Sequence, residues 1–308
     1  MSEGIKSNRM KTQKAAHFNR VKPMTNAMIT VLFIVLALVA ILPFVFVVII
    51  SFSSEASVIN TGYSFVPSEW SLDTYRFLWQ TREDILRSFA NSVGVTVAGT
   101  VLGLALISSF GYAISRPNYR FKRFSTVFIF IPMLFQGGLV STYMINTQLF
   151  QLKDSYLGLI LPLACSTWYI IIMRTFFATT IPDSVIESAK IDGATQWRIF
   201  RQIVLPISLP AFATIGLFLT FAYWNDWYQA MLYISNRKLF PLQYLLVSIE
   251  RAVDFLAKSE DSMLSAASLP SETIRMAIVV IAVLPIACSY PFFQKYFISG
   301  LTIGAVKG

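Results

Sequence analysis

Charge is scarce in this 308-residue chain, where Asp, Glu, Lys and Arg fill only 13% of positions, against roughly a quarter in a soluble domain. Histidine is nearly absent, with His17 alone, and the two cysteines are Cys165 and Cys288. Both cysteines fall inside apolar runs, and His17 falls in a basic N-terminal stretch. That inventory builds neither a disulfide framework nor a Cys/His metal site. It also leaves histidine acid–base catalysis without a candidate in the core. No Gly-x-x-x-x-Gly-Lys-Ser/Thr sequence is present, so the chain has no such loop of its own to cradle ATP phosphates. A water-soluble globule needs more polar surface than this, and a disordered chain carries far less apolar residue.

What the chain has is apolar bulk: 55% hydrophobic and 15% aromatic residues, with a mean hydropathy of +0.61. The bilayer is the natural solvent for such a sequence. Six runs, near 28–52, 88–114, 124–144, 157–177, 209–234 and 274–297, are long enough to cross it, at about 20 residues for a ~30 Å core. Unpaired backbone is costly in lipid, so these runs are expected to be helices. The predicted fold class is all-α, a polytopic membrane bundle of six spans over 28–297, with a basic tail at 1–27 and a short tail at 298–308. The first run is too long for a signal-peptide core and is read as retained. Pro43, Pro132, Pro162 and Pro285 lie within runs, where kinks are expected.

Net charge is +9, from 25 Lys and Arg against 16 Asp and Glu. The basic residues cluster at the ends of apolar runs, which reads as topology rather than as a nucleic-acid surface. Lys6, Arg9, Lys11, Lys14, Arg20 and Lys22 precede the first run, and Arg116, Arg120, Lys122 and Arg123 join the second to the third. Placing both clusters inside puts the N- and C-termini in the cytoplasm of a multi-pass cell-membrane protein. Two long connections, 53–87 and 235–273, then face outward. The first is rich in aromatics, among them Trp70 and Trp79. In the second, Leu245, Ile249, Val253 and Leu256 recur at helical spacing, the pattern of an amphipathic helix at the interface. An outward docking surface and ordinary interfacial aromatics both fit these connections.

The segment 181–206 is the most informative cytoplasmic stretch. Pro182 suits a helix start, and Ser184 with Glu187 has the spacing of a capping box. Gly193 is a natural left-handed stop. A second helix is predicted beyond it, with Trp197, Phe200 and Val204 as its apolar stripe, before Pro206 and Pro210. The result is a helix–elbow–helix with small residues (Ser188, Ala189, Gly193, Ala194) where a partner can approach, and with Glu187 and Asp192 for pairing.

This run resembles the EAA signature of ABC-importer permeases: Glu187, Ala189, Gly193, Ile203, Leu205 and Pro206 fall at that family's spacing, and Ser188 stands where a second alanine is usual. The wider chain resembles the carbohydrate-uptake permeases that include the maltose permease subunits. The first-connection Phe65-Val66-Pro67 and Tyr75 and the Ile191-Asp192-Gly193-Ala194 core carry that likeness, as does the C-terminal 300–308. Trp224-Asn225 and 237–243 are similar to the subgroup taking complex oligosaccharides. The resemblance implies a type I importer transmembrane domain whose elbow is a coupling helix seated in a cytoplasmic ATPase, with Glu187 facing that subunit and Gly193 forming the bend. It further implies a second similar permease, two ATPase subunits that hold ATP and Mg, and an external solute-binding protein delivering sugar. No cofactor is expected in this chain.

In the fifth run, Trp224, Asn225, Asp226 and Trp227 place an amide and an acid among aromatics, a costly arrangement in lipid. A sugar path is one reading, with indole faces stacking on pyranose rings and Asn225 bonding hydroxyls; helix–helix bonding or the interfacial belt is the other. Gln136 and Asn146 are candidates of the same kind. Gly99 and Gly103 form a Gly-x-x-x-Gly for close helix approach. An ABC permease for another solute remains open, as does an ion-coupled transporter, although the latter wants ionisable groups deep in the bundle. A membrane enzyme lacks paired acids and a core histidine.

Overall fold

The computed structural model describes residues 23–135, 137–258 and 271–305. The tail 1–22, Gln136 and the stretches 259–270 and 306–308 lie outside the described residues. Among the described residues the chain is helical, with one isolated bridge pairing Ser53 and Trp70 and no strand.

All six apolar runs fall on helix, and three of them are broken. Pro23–Ser51 and Arg82–Ser115 are each long and apolar enough to cross a membrane alone. Lys122–Leu134 with Leu139–Leu149, and Tyr156–Ala164 with Thr167–Thr180, qualify only as bent pairs, the second bent by 49°. Pro132 and Pro162 sit within the last turn before those breaks, whereas Pro43 and Pro285 lie inside continuous helices. Ser271–Ala305, 35 residues long, is the last long element.

The fifth run departs most from expectation. Its helix Leu209–Trp224 has 16 residues, about 24 Å at 1.5 Å per residue, and stops at Asn225. A separate helix, Tyr228–Tyr233, follows. The second run also differs, because its helix begins at Arg82, six residues before the predicted 88, with Glu83 and Asp84 in a first turn that suits acids.

Arg82–Ser115 is the post around which the others assemble, packing against Thr167–Thr180, Leu209–Trp224 and Tyr156–Ala164. Its buried face is mostly a ladder of small residues, Ser88, Ser92, Thr96, Gly99, Gly103, Ser108, Gly111 and Ser115, joined by Val95, Ile107 and Ile114. Lipid tails are as apolar as leucine, so close van der Waals contact between backbones must hold spans together. A methyl on Gly99 would clash with Cζ, Cε1 and Cε2 of the Tyr223 ring, and one on Gly103 would lie 3.0 Å from Leu219 Cδ1 and 3.1 Å from the Ala164 carbonyl. The Gly-x-x-x-Gly is thus used within the bundle. Tyr223 also donates its hydroxyl to the Ile160 carbonyl at 2.7 Å, so one side chain ties three spans.

The predicted amphipathic helix exists as Leu242–Lys258, but it docks on the bundle. Leu242, Leu246 and Val253 are buried with Trp224, Ile274 and Ile278 in a second apolar cluster. Ser92 Oγ accepts the Leu242 N–H at 2.7 Å, and Asn91 donates to the Lys238 carbonyl at 2.8 Å. Asp154 pins the preceding turn by accepting the Ser235 and Asn236 N–H groups at 2.6 and 2.7 Å. Those two bonds hold its carboxyl below the ordinary carboxylate range. Their contribution is present at neutral pH and lost as pH falls through the lowered value.

Gly99→Ala should cost about 1–3 kcal/mol by overpacking against Tyr223, read as a lowered midpoint of heat unfolding in detergent. Gly94, with nothing within 4 Å of an added methyl, is the internal control. Gly94→Ala should be neutral or gain up to ~1 kcal/mol from helix propensity. Equal midpoints for the two variants would discard the ladder as the packing device.

Candidate functional site: the elbow and the break in the fifth span

The elbow forms where the sequence places it, with two local differences. The first helix is Asp183–Ile191, and its N-cap is Pro182. Ser184 is therefore inside the first turn, and its pairing with Glu187 as a capping box is not realised: the Ser184 side chain caps nothing. The stop at Gly193 is as expected. Gly193 has φ +77°, its N–H reaches the Lys190 carbonyl at 3.0 Å, and the Ala194 N–H reaches the Ala189 carbonyl at 2.9 Å. Those two bonds make a Schellman turn. The second helix opens at Gln196, capped by Thr195 Oγ1 on the Arg198 N–H at 3.4 Å, and passes through a π-helical turn, Phe200–Val204.

Of the predicted apolar stripe, Phe200 and Val204 pack against the core, and Trp197 does not. Ile199 and Val204 are fully buried, whereas Trp197 is 69% exposed, so Trp197 belongs to the outer face. Gln196–Ile207 meets Leu209–Trp224 at 81°, holding the elbow crosswise to the fifth span.

The elbow is braced from below and bare on its outer side. Ile181, Ile186, Ile199 and Val204 are buried in the main core. Arg116, at the end of the central helix, donates to Asp183 Oδ1 at 3.0 Å and to the Phe177 carbonyl at 2.7 Å. Its side chain is only 12% exposed against 54% for Asp183, so the guanidinium is the anchored end of that pair. The Tyr112 ring lies under Arg116 at 5.4 Å and packs on Phe177 and Phe200. Sequence reading missed this brace, since Arg116 counts there as one of four basic residues in a connection. Facing outward are Glu187, Ser188, Asp192 and Gly193, all exposed, beside Ile191, 86% exposed. Ala189 and Ala194 are half-buried beneath them, Ile203 is half-buried and Pro206 is exposed at the far end.

The polar-aromatic group of the fifth span divides. Trp224 is buried, donates its indole N–H to the Ala282 carbonyl at 3.2 Å and packs edge-on against Phe89. With Phe89, Val97, Thr220 and Pro285 it lines an apolar cavity of about 230 Å³. Asn225 is exposed with its amide on the Phe221 carbonyl at 3.0 Å. Asp226 Oδ1 accepts the Gln229 N–H at 3.2 Å and so caps Tyr228–Tyr233. Trp227 is 38% exposed, with Arg251 over its ring. Asn146 donates to the Tyr233 hydroxyl at 2.9 Å, which brings the third span to the same region as a helix–helix contact. Gln136 lies outside the described residues.

A helical membrane bundle that presents a firmly braced elbow on one face has the form of a transporter's membrane subunit. Residues 103–303 match the family described as the binding-protein-dependent transport system inner membrane component, and the chain belongs to that family. It is similar to the polygalacturonan/rhamnogalacturonan transport system permease protein YtcP of Bacillus subtilis, 39% identical over 88% of this chain and 94% of that protein. Protein LplC of the same organism is 36% identical over 88% and 90%. The arabinooligosaccharides transport system permease AraQ of B. subtilis is 28% identical over 91% and 95%. Among solved structures, a bacterial ABC transporter involved in import of the acidic polysaccharide alginate aligns with a TM-score of 0.75 and 30% identity, over 89% of this chain and 96% of that one. The chain is accordingly a permease subunit of an ABC importer.

Arg116→Ala removes an ion pair and a charged bond to a buried carbonyl, the latter worth about 1.5–3 kcal/mol. Amide hydrogen exchange across 181–193 should accelerate roughly tenfold or more, with the midpoint of the bundle little changed. Unaltered exchange there would mean that the isoleucines alone hold the elbow.

Proposed function

We propose that this chain conducts oligosaccharides across a bacterial cell membrane, with both termini in the cytoplasm. It pairs with a second similar permease, is driven by two cytoplasmic ATPase subunits that hold ATP and Mg, and receives sugar from an extracellular solute-binding protein. The carbohydrate cargo named for YtcP, AraQ and the alginate importer supports the substrate class.

One observation carries the coupling role: an outward face of Glu187, Ser188, Ile191, Asp192 and Trp197 on an elbow fixed to the core by Arg116 and four isoleucine or valine side chains. Exposed Ile191 and Trp197 beside two carboxylates form a mixed apolar and acidic surface suited to a protein cleft. The Gly193 turn is held by its own backbone bonds, so a push on that surface moves the elbow as a unit. Because Gln196–Ile207 lies at 81° to Leu209–Trp224, such a push tilts the fifth span. Closure of the ATPase pair would thus favour one orientation of the spans, since an effector shifts an equilibrium only by binding its states unequally.

Glu187→Lys in the assembled importer should abolish sugar uptake while hydrolysis continues without stimulation by loaded binding protein. Uptake at the wild-type rate would overturn the elbow's role. Uptake should also survive collapse of the proton gradient and fail on ATP depletion; the reverse pattern would favour an ion-coupled carrier.

A further inference from the structure

Between the C-terminal end of Arg82–Ser115 and the elbow lies a cavity of about 370 Å³, toward the small end of the roughly 300–1,000 Å³ that ligand pockets span. One wall is Tyr112 and Ala113 of the central helix, with Arg116, Asn118 and Tyr119 just beyond it. The other wall is Ile186, Lys190 and Gln196 of the elbow's two helices. Alanine, isoleucine and the tyrosine rings supply apolar surface. Around them stand two cations, two primary amides and two phenols, and no carboxylate is among the lining residues.

The polar groups of these walls are poorly satisfied. The Tyr112 hydroxyl reaches Gln196 Oε1 at 3.5 Å, and the Tyr119 hydroxyl lies 3.4 Å from Ser125 Oγ. The bonded hydroxyls of Tyr63, Tyr75, Tyr156, Tyr223 and Tyr233 sit at 2.6–2.9 Å instead. An O–H···O bond is ordinarily 2.5–3.0 Å long, so both phenols lining the cavity can take a better partner. Arg116 commits one donor each to Ser115 Oγ, Asp183 and the Phe177 carbonyl, which leaves N–H groups over on a guanidinium. Lys190 adds an ammonium. An inorganic anion would answer the cations and leave the phenols and amides; a neutral sugar would do the reverse. A ligand that answers both carries a doubly charged group on a small hydroxylated ring, and the volume suits one sugar unit rather than a chain of them.

We infer that this cavity is a site for a monosaccharide phosphate, and that its occupant restrains import by holding the elbow to the central helix. This rests on the coupling role proposed above. The two walls are the element that would be pushed and the element it would be pushed against, so a ligand bridging them favours this separation over any other. Such an anion forms when a released sugar unit accepts a phosphoryl group from a nucleoside triphosphate, so the site would let accumulated product slow further uptake.

The test uses the full importer with its binding protein in proteoliposomes. Glucose 6-phosphate, glucose 1-phosphate or ribose 5-phosphate is supplied on the elbow's side, with glucose and inorganic phosphate as controls. The sugar phosphates should slow amide exchange across 183–196 and lower uptake of the delivered oligosaccharide, and neither control should. Lys190→Gln should raise the half-effective concentration about tenfold, the worth of one charge-assisted bond, with uptake in the absence of ligand unchanged. Tyr119→Phe, which lies off the elbow, should raise it several-fold. Protection by none of the three, or equal protection by inorganic phosphate, overturns the site, as does an unshifted concentration in both variants. Protection without slower uptake overturns the restraint. Failure of the coupling role shows separately, as wild-type uptake in Glu187→Lys with no sugar phosphate present.

Discussion

The seating of Tyr223 on the bare backbone of Gly99 is the contact on which the rest of this bundle depends. In lipid no hydrophobic drive pulls spans together, so shape must do it. The small-residue ladder of Arg82–Ser115 lets the fourth and fifth spans come to van der Waals distance along most of its length. The same tyrosine bonds the Ile160 carbonyl, which satisfies its hydroxyl where water is absent.

Both ends of the central helix inherit that rigidity. At its N-terminal end Asn91 and Ser92 hold the turn that starts Leu242–Lys258. At its C-terminal end Tyr112 and Arg116 hold the elbow. A single element therefore positions both the elbow and the helix Leu242–Lys258, one at each of its ends.

Apolar run length, Gly193 and the Glu187–Pro206 spacing were readable because each reflects local chemistry: lipid solvation, a left-handed backbone site and short-range helix punctuation. What escaped was set by tertiary context. Trp197 falls on a helical stripe with Phe200 and Val204, yet those two pack against the core and Trp197 does not. Ser184 has the right partner three residues on, but Pro182 had already started the helix. Trp224 and Trp227 are three apart in sequence and have opposite fates, one buried against Phe89 and one under Arg251. Arg116 and Arg251 gave no signal, since a lone arginine in a connection says nothing about whether its partner is a carboxylate, a carbonyl or a ring.

The corner between the elbow and the fifth span has a mechanical character of its own. Ser208 sits there, fully buried, with a hydroxyl that meets no partner. Pro206 and Pro210 flank it and contribute no backbone donors, so the joint rests on the Ser208 N–H, shared between the Val204 and Leu205 carbonyls, and on the Phe212 N–H. Two prolines and a hydroxyl without a partner thus mark the 81° bend between the elbow and Leu209–Trp224, a corner with fewer backbone donors than an uninterrupted helix would carry.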